Sequence, residues 1–425
     1  MSRVSQLRLG QAARVLSGYA FKSETFASQG VPVIKIGNIG DGNVLLGPDD
    51  TEYVPLAAAD VIDQKYSVKR GNILMSLTGS HMTHPRSVVG RVAQYQESFT
   101  SVLNQRAGKV TVTDARKLNN DYLYYLLSAP ASKQAVALMA HGAANQANVS
   151  PRDVEKIKFN VLRIEEQQKV GWILNAYGRL IRNNRHRVSL LEKLAEQLYR
   201  EWFVRFRFPG HQNVEKIHGV PADWSVGPLG SYARSIVQKY VADSDSALPL
   251  VDLEKMAART LAITELGHAD ELSTSRIVFA PGDILFSTIR PYLYKVNMAP
   301  FHGITNTSVL VLRASRDVLR PFLTVTLFIK DTIAWADQYS SGTKMPVISW
   351  NVFRKMPIRL PKDDLLERFN TFVSPMLDQI KTLSLGIIEL TEARDRLLPR
   401  LISGKLSVEN LDIHIPPSMA EELKA

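Results

Sequence analysis

The sequence has no cysteine in 425 residues. Disulfides and thiolate metal sites are therefore excluded, and a reducing cytosol suits such a chain. Acidic residues are in deficit: 41 Asp and Glu stand against 52 Lys and Arg, a formal net charge of +11. That balance points toward an anionic partner such as nucleic acid, or to a plainly basic surface. No window holds 18 consecutive apolar residues, so no membrane span is expected. The opening MSRVSQLRLGQAARV lacks the apolar core of a signal peptide, and a cytoplasmic location is expected.

Catalytic signatures are also missing. There is no G-x-x-x-x-G-K-[ST] loop, no G-x-G-x-x-G after a strand and no H-E-x-x-H. SGK at 403–405 lacks the upstream glycine. His81 and His84 are the only close histidine pair, in a polar loop with no evident third ligand, so an ordinary loop and a weak metal site are both open readings. IPPS at 415–418 is not the Pro-Pro-aromatic loop of amino-methyltransferases, and PDD at 48–50 has no E-x-K partner. Catalysis by this chain, and a metal or cofactor bound to it, are not expected.

What the chain does contain is repetition. GNILMSLTGS (71–80) returns as GDILFSTIRP (282–291), RLGQAARV (8–15) as PLGSYARS (228–235), and NVSPRDVEKIKF (148–159) as VISWNVFRKMPI (347–358). The order is fixed and the offset only shrinks along the chain, so two half-chains share one plan with different loop lengths.

After each third match comes a long apolar stripe. In the first half it runs through Val170, Leu174, Tyr177, Ile181, Asn184, Val188, Leu191, Ala195, Leu198 and Trp202. In the second it runs through Phe369, Val373, Met376, Ile380, Leu383, Ile387, Leu390, Arg394, Leu397 and Leu401. A 3.5-residue period over four to five heptads predicts a coiled-coil seam, the alternative being two amphipathic helices each packed on its own domain. Pro375 predicts a kink or fresh start in the second helix, with Ser374 and Asp378 available as caps. Asn184 on the first seam predicts a register-fixing polar residue.

Around the helices the pattern is mixed α/β. VPVIKIGNIGDGNV (31–44) reads as strand, Gly-rich turn and strand; RVAQY, AGKVTV and SVLVLRA read as strands. DYLYYLLSAPASKQAVALM (121–139) reads as a helix interrupted by Pro130, and PFLTVTLFIKDTIAWADQ (321–338) as one helix; 205–224 reads as a polar linker. The expected divisions are 1–160, a first globular domain; 161–208, a long helix; 209–360, a second domain; 361–406, a second long helix; and 407–425, a tail.

The order of GYAFKSETFASQGVPVIKIGNI (18–39), GNILMSLTGS and VLNQRAGKVTV (102–112) resembles the first target-recognition domain of a type I restriction-modification specificity subunit. HGAANQANVSPRDVEKIKF followed by EEQQKVGWILNAY (165–177) is similar to the entry into that family's central conserved helix. FAPGDILFSTIRPYLYKV (279–296) and SGTKMPVISWNVF (341–353) look like a second recognition domain. The resemblance covers nearly the whole chain. It departs in a longer insert after Gly79 and in GITNTSVLVL (303–312), which matches the pattern only in part.

The resemblance implies a mixed α+β (α/β) fold with two similar target-recognition domains, a pseudo-two-fold internal repeat, and two long antiparallel coiled-coil helices between them. It implies a non-catalytic subunit that tells others where to act. The implied partners are double-stranded DNA, two DNA adenine methyltransferase (M) subunits and restriction/translocase (R) subunits. S-adenosylmethionine and ATP with Mg belong on those partners and no cofactor on this chain. The competing reading is a coiled-coil DNA-binding scaffold or repressor that acts without methyltransferases.

Base readout needs forked donors on turns, Arg for guanine and Asn or Gln for adenine. In the first domain the candidates are Tyr19, Lys22, Thr78, Ser80, His81, Thr83, Arg86, Asn145 and Gln146. In the second they are Lys239, Tyr240, Arg290, Tyr292, Lys295 and Lys344. An exposed loop residue with no contact is the alternative for each. Asn104, Gln105 and Arg106 precede a strand, which suits a structural role at least as well. The first helix carries nine Lys or Arg against four Glu over 166–209. Arg179, Arg182, Arg185 and Arg187 would then face phosphates, a partner or solvent.

Overall fold

The structure, a computed structural model, describes residues 4–40, 42–47, 51–79, 88–143, 146–241, 248–267 and 275–413. The chain divides into two compact units, residues 1–177 with 393–425 and residues 178–392. The division falls inside both long helices, α5 (Ile164–Tyr199) and α9 (Asp363–Ile402), so each unit owns a piece of each.

In unit 1, β1 (Val4–Arg8) pairs antiparallel with β13 (Lys158–Leu162), Arg8 opposite Lys158. One four-stranded sheet has the order β2 (Ala13–Ser17), β10 (Ala107–Val112), β6 (Ile73–Ser76), β8 (Val92–Gln94). The run Ile-Leu-Met-Ser of β6 is buried at all four positions, as a strand covered on both faces must be. A second sheet has the order β4 (Glu52–Val54), β3 (Val31–Ile34), β9 (Ser101–Leu103), β5 (Ser67–Val68). A third has the order β11 (His141–Ala143), β12 (Gln146–Asn148), β7 (Thr78–Gly79). Helices α1 (Leu56–Asp60), α2 (Asn120–Ser128), α3 (Pro130–Leu138) and α4 (Pro151–Lys156) complete the unit. Asn119 caps α2 by accepting from the Tyr122 N–H, and Ser150 caps α4 with Pro151 at the first helical position.

Val170 and Leu174 from α5 join Leu398, Leu401 and Ile402 from α9 in the unit 1 core, with Ile73, Val92, Tyr122 and Leu123. The buried tyrosines satisfy their hydroxyls on helix backbone. Tyr125 Oη donates to the Leu174 carbonyl at 2.8 Å and Tyr122 Oη to the Ile402 carbonyl at 3.2 Å. Beyond α9 the chain turns at Gly404 (φ +72°), where a Cβ would lie 2.9 Å from Leu162. It then returns along α5, where Lys169 Nζ donates to the carbonyls of Glu409 and Leu411.

In unit 2, β14 (Lys216–Ile217) pairs with β15 (Val220–Pro221), and β16 (Ser225–Pro228) with β23 (Pro357–Leu360). The four-stranded sheet has the order β17 (Ala233–Ile236), β22 (Val309–Ala314), β19 (Ile284–Ser287), β20 (Val296–Met298). β18 (Arg276–Phe279) pairs with β21 (Gly303–Asn306). Helices α6 (Arg320–Phe328), α7 (Lys330–Gln338) and α8 (Trp350–Phe353) pack beside them. Within this unit the helix pieces run antiparallel. Trp202 and Phe203 lie 5.8 and 4.8 Å from Phe369, while Asn184 Nδ2 lies 3.4 Å from where a Cβ on Gly386 would be. Val188, Ala195, Val373, Ile380, Leu383 and Ile387 are buried there, with Leu191, Leu198, Met376 and Leu390 packed at the edge. Tyr177, the last residue of unit 1 on α5, is half-buried, and Leu397 packs against the unit 1 core.

Four local expectations change. α9 runs unbroken through Pro375; that residue and Thr371, whose carbonyl loses its donor, are both exposed, so the carbonyl is open to solvent. Residues 321–338 form two helices that break at Ile329 (ψ 152°) without a proline, and the Thr332 hydroxyl donates to the Thr326 carbonyl across the break. The second strand expected near Val44 is only a bridge to Ile39. Residues 205–224 are no free linker: Trp224 stacks on Phe208 at 5.8 Å and meets Phe203 and Phe206.

Candidate nucleic-acid interface

In unit 1 the GYAF loop lies along the turn between β9 and β10. Tyr19 N–H donates to the Leu103 carbonyl and Gln105 N–H to the Tyr19 carbonyl. Gly18 is required at this approach, because a side chain would collide with the Leu103 and Asn104 carbonyls. The result is a cleft of about 270 Å³ lined by Phe21, Phe26, Lys35, Asn104, Gln105 and Arg106. Tyr19, 42 % exposed, sits edge-on to Phe21 and Tyr66 at 5.0 and 5.7 Å. Lys35 pairs with Glu52 and lies over the Phe26 ring at 4.2 Å. Lys22 is exposed at the start of a short 3-10 turn in the same loop.

The other described unit 1 candidates are elsewhere. Thr78 is buried and its hydroxyl donates to Asn148 Oδ1 at 2.7 Å, which ties β7 to β12. Gln146 opens β12, opposite Ala143. Ser80, His81, Thr83, Arg86 and Asn145 lie outside the described residues.

In unit 2 the turn after β19 carries strain. Arg290 is exposed with φ 49° and ψ 68°, and Tyr294 has φ 57°, both left-handed for non-glycine residues. The Arg290 N–H is held by the Pro346 carbonyl at 2.7 Å, and Ile289 bridges Val347. The turn therefore abuts the 341–347 loop, on which Lys344 is exposed. Tyr292 is 50 % exposed. Lys239 and Tyr240 form a second place, where Lys239 bridges Ile277 and the Tyr240 N–H donates to the Arg276 carbonyl. Lys295 is half-buried and its ammonium donates to the Leu253 carbonyl at 2.6 Å; burial pushes its pKa down.

A clamp holds the 257–262 segment, whose Arg259 N–H donates to the Tyr294 carbonyl at the end of that turn. Glu192 on α5 is buried and accepts from Thr260 Oγ1 at 2.7 Å and the Leu261 N–H at 2.6 Å. Asn297 in β20 donates to the carbonyls of Ala257 and Thr260. Burial pushes the Glu192 carboxyl up to about 7 despite these donors. Of the α5 arginines, Arg187 is exposed and Arg179, Arg182 and Arg185 are half-buried. No cluster of three or more acidic or histidine side chains suited to a metal occurs among the described residues, and no helix there is long and apolar enough to cross a membrane.

Sequence reasoning passed over Phe21, Phe26 and Lys35, and it gave Asn104, Gln105 and Arg106 a structural role at least as readily as a contact. The available signal was the aromatic spacing of GYAFKSETF, which becomes a cleft only once Asn104 is paired beside Tyr19.

A family model described as the type I restriction modification DNA specificity domain matches residues 1–193. The chain is 23 % identical over 376 residues to the type I restriction enzyme MjaIX specificity subunit of Methanocaldococcus jannaschii, covering 85 % of each chain. It is 24 % identical over 391 residues to the putative MjaX specificity subunit of the same organism, covering 89 % of this chain and 88 % of that one. The crystal structure of the type I restriction-modification S subunit from M. genitalium superposes with a TM-score of 0.57 at 14 % identity, over 94 % of this chain and 96 % of that one, a likeness of fold. The mixed α/β fold and the likeness along most of the chain agree: residues 1–193 match the type I restriction modification DNA specificity domain, and the chain as a whole is similar to type I restriction enzyme specificity subunits.

Proposed function

We propose that each unit reads one half of a bipartite double-stranded target, and that the helices α5 and α9 set the gap and dock two adenine methyltransferase subunits. The carrying observation is a doubled strand plan. The orders β2-β10-β6-β8 and β17-β22-β19-β20 correspond strand for strand. Their registers correspond as well: Ala13 faces Val112 as Ala233 faces Ala314, and Ile73 faces Val110 as Ile284 faces Leu312. An internal duplication of this kind suits an asymmetric target written as two half-sites.

The seam from Val170 to Trp202 spans about 48 Å at 1.5 Å per residue. Half-sites on one face of a duplex lie about 34 Å apart, within that length. Contacts come from Tyr19, Lys22 and the 104–106 turn in unit 1, and from Lys239, Tyr240, Arg290, Tyr292 and Lys344 in unit 2. The chain takes no cofactor; S-adenosylmethionine and ATP with Mg are held by the methyltransferase and restriction/translocase subunits.

The test is replacement of residues 225–340 by those of a relative, in the complex with its methyltransferase, followed by sequencing of methylated sites. One half of the motif should change and the gap should stay. A change in both halves overturns the two-reader reading. Light scattering should give one such chain with two methyltransferases.

A further inference from the structure

We propose that the unit 1 cleft between the 18–26 loop and the 104–106 turn receives a nucleobase swung out of the duplex stack. The inference rests on the reading that unit 1 touches DNA. The walls come first. Phe21 and Phe26 are half-exposed, with ring centroids 5.9 Å apart and planes tilted by 43°. The edges of paired bases are read by hydrogen-bonding forks in the grooves. Aromatic faces suit base faces, which are accessible only when a base leaves its stack.

The floor is the second observation. Asn104, Gln105 and Arg106 line the cleft, and none of their side chains has a hydrogen bond or ion pair among the described residues. Two other guanidinium forks are engaged: Arg313 grips Asp283 and Arg316 grips Asp363, each through two nitrogens. An amide fork offers both donor and acceptor, which complements a Watson–Crick edge once the base is unpaired. Arg106 adds donors for an acceptor-rich edge such as that of guanine. The third observation is the rim. The charge of Lys35 is balanced by Glu52, so the free donors of the cleft are those of the 104–106 turn.

The experiment uses the full chain copurified with its methyltransferase subunits, and duplexes carrying 2-aminopurine singly at each position of the half-site read by unit 1. The methylated adenines are left out, because the methyltransferase extrudes those itself. One further position should brighten severalfold on binding, since unstacking relieves the quenching of the probe. In the double variant F21A/F26A that signal should fall to the free-duplex level, with a roughly tenfold loss of specific affinity, the scale of one base stacked on an aromatic side chain. Arg106→Ala, on an exposed turn, should keep the melting temperature and still lower the same signal, which guards against a misfolded phenylalanine variant. If the complex binds and methylates its motif while no further position brightens, bases are read in the intact groove and the pocket is overturned, with the two-reader model untouched. If the complex binds no specific DNA, the underlying reading fails and the pocket falls with it.

Discussion

Gly79 and Arg290 stand at matching places, each three residues past the end of the repeated strand. A Cβ on Gly79 would lie 2.7 Å from Val88 Cγ2 and 3.1 Å from Val89, so a larger residue there would have to displace Val88. Arg290 is exposed and left-handed, with Pro291 behind it and its N–H fixed by Pro346. At these matching places unit 1 has a close-packed residue of strand β7, and unit 2 has an open, strained, cationic turn. Strain of that kind persists where its surroundings over-determine it, commonly at a functional site. The two units also differ just after the first sheet strand, where unit 1 has the aromatic GYAF loop and unit 2 has Gln238, Lys239 and Tyr240. The shared sheet is the scaffold, and the turns at its edge are where the units diverge.

The widest contrast lies in the packing of α5 and α9. Its unit 2 part is aromatic, with Phe369 fully buried beside Tyr199, Trp202 and Phe203. Its unit 1 part is aliphatic, with Val170, Leu174, Leu398 and Leu401. Phe369→Ala should destabilise unit 2 by about 3–5 kcal/mol, and Leu401→Ala should destabilise unit 1 by about 2–4 kcal/mol. Hydrogen exchange followed segment by segment reads the two units separately. Equal loss of protection in both units from either variant would mean that they unfold as one.

The two long helices, α5 and α9, were legible because a 3.5-residue apolar period leaves a trace in residue order. Strands β6 and β19 were legible as short apolar runs bounded by turn signals. The break at Ile329 was not, because it depends on a Thr332 hydroxyl reaching across the turn, and the sequence offered no proline there. The unit 1 cleft was hidden too. Phe26 and Arg106 are 80 residues apart, and only the pairing of Tyr19 with Asn104 brings their loops to one place. Lys295 reads as a free cation in a turn, yet its ammonium reaches a carbonyl 42 residues away.

Glu192 gives unit 2 a pH dependence. Its folded carboxyl titrates near 7 against an ordinary 4.5, because burial outweighs its donors. A raised folded pKa means that the native state binds the proton more tightly. The stabilisation is complete below about 4.5 and is lost as the pH climbs through 7, by up to about 3 kcal/mol. Glu192→Gln keeps an acceptor for Thr260 and the Leu261 N–H and should flatten the profile between pH 5 and 8. Urea midpoints across that range measure it; an unchanged slope would mean that another group titrates.

The turn before the repeated strand gives a smaller contrast. In unit 2, Asp283 is buried, accepts from the Ala280 N–H at 2.8 Å and pairs with Arg313 at 2.6 and 2.7 Å. In unit 1 the matching residue is Asn72, which accepts from the Lys69 N–H at 2.9 Å, and Thr111 stands in the place of Arg313. Asp283→Asn keeps the turn bond but loses the charge pair, and should cost about 1–3 kcal/mol. Asn72→Ala removes one neutral bond and should cost about 1 kcal/mol. Thermal melts of both variants test the order; a larger loss from Asn72→Ala would reverse it.

The smallest expected change in stability is at Arg290, and it separates strain from contact. Arg290→Gly admits the left-handed backbone without a Cβ penalty, so the turn should hold and the protein should gain up to about 1 kcal/mol, less the added entropy of an unfolded glycine. Specific DNA binding by the methyltransferase complex should move the other way, weakening by about 1–3 kcal/mol if the guanidinium forks a guanine. A base contact relaxes preference at one position of the target. A phosphate contact instead weakens all sequences alike and lowers the salt slope by about one ion. Arg290→Lys keeps the charge and loses the fork, so it should restore a phosphate contact and not a base contact. Binding measured at two salt concentrations for both variants decides between them. Unchanged affinity in both would leave Arg290 strained for the sake of the turn alone, and would move the unit 2 reader to Lys239 and Tyr240.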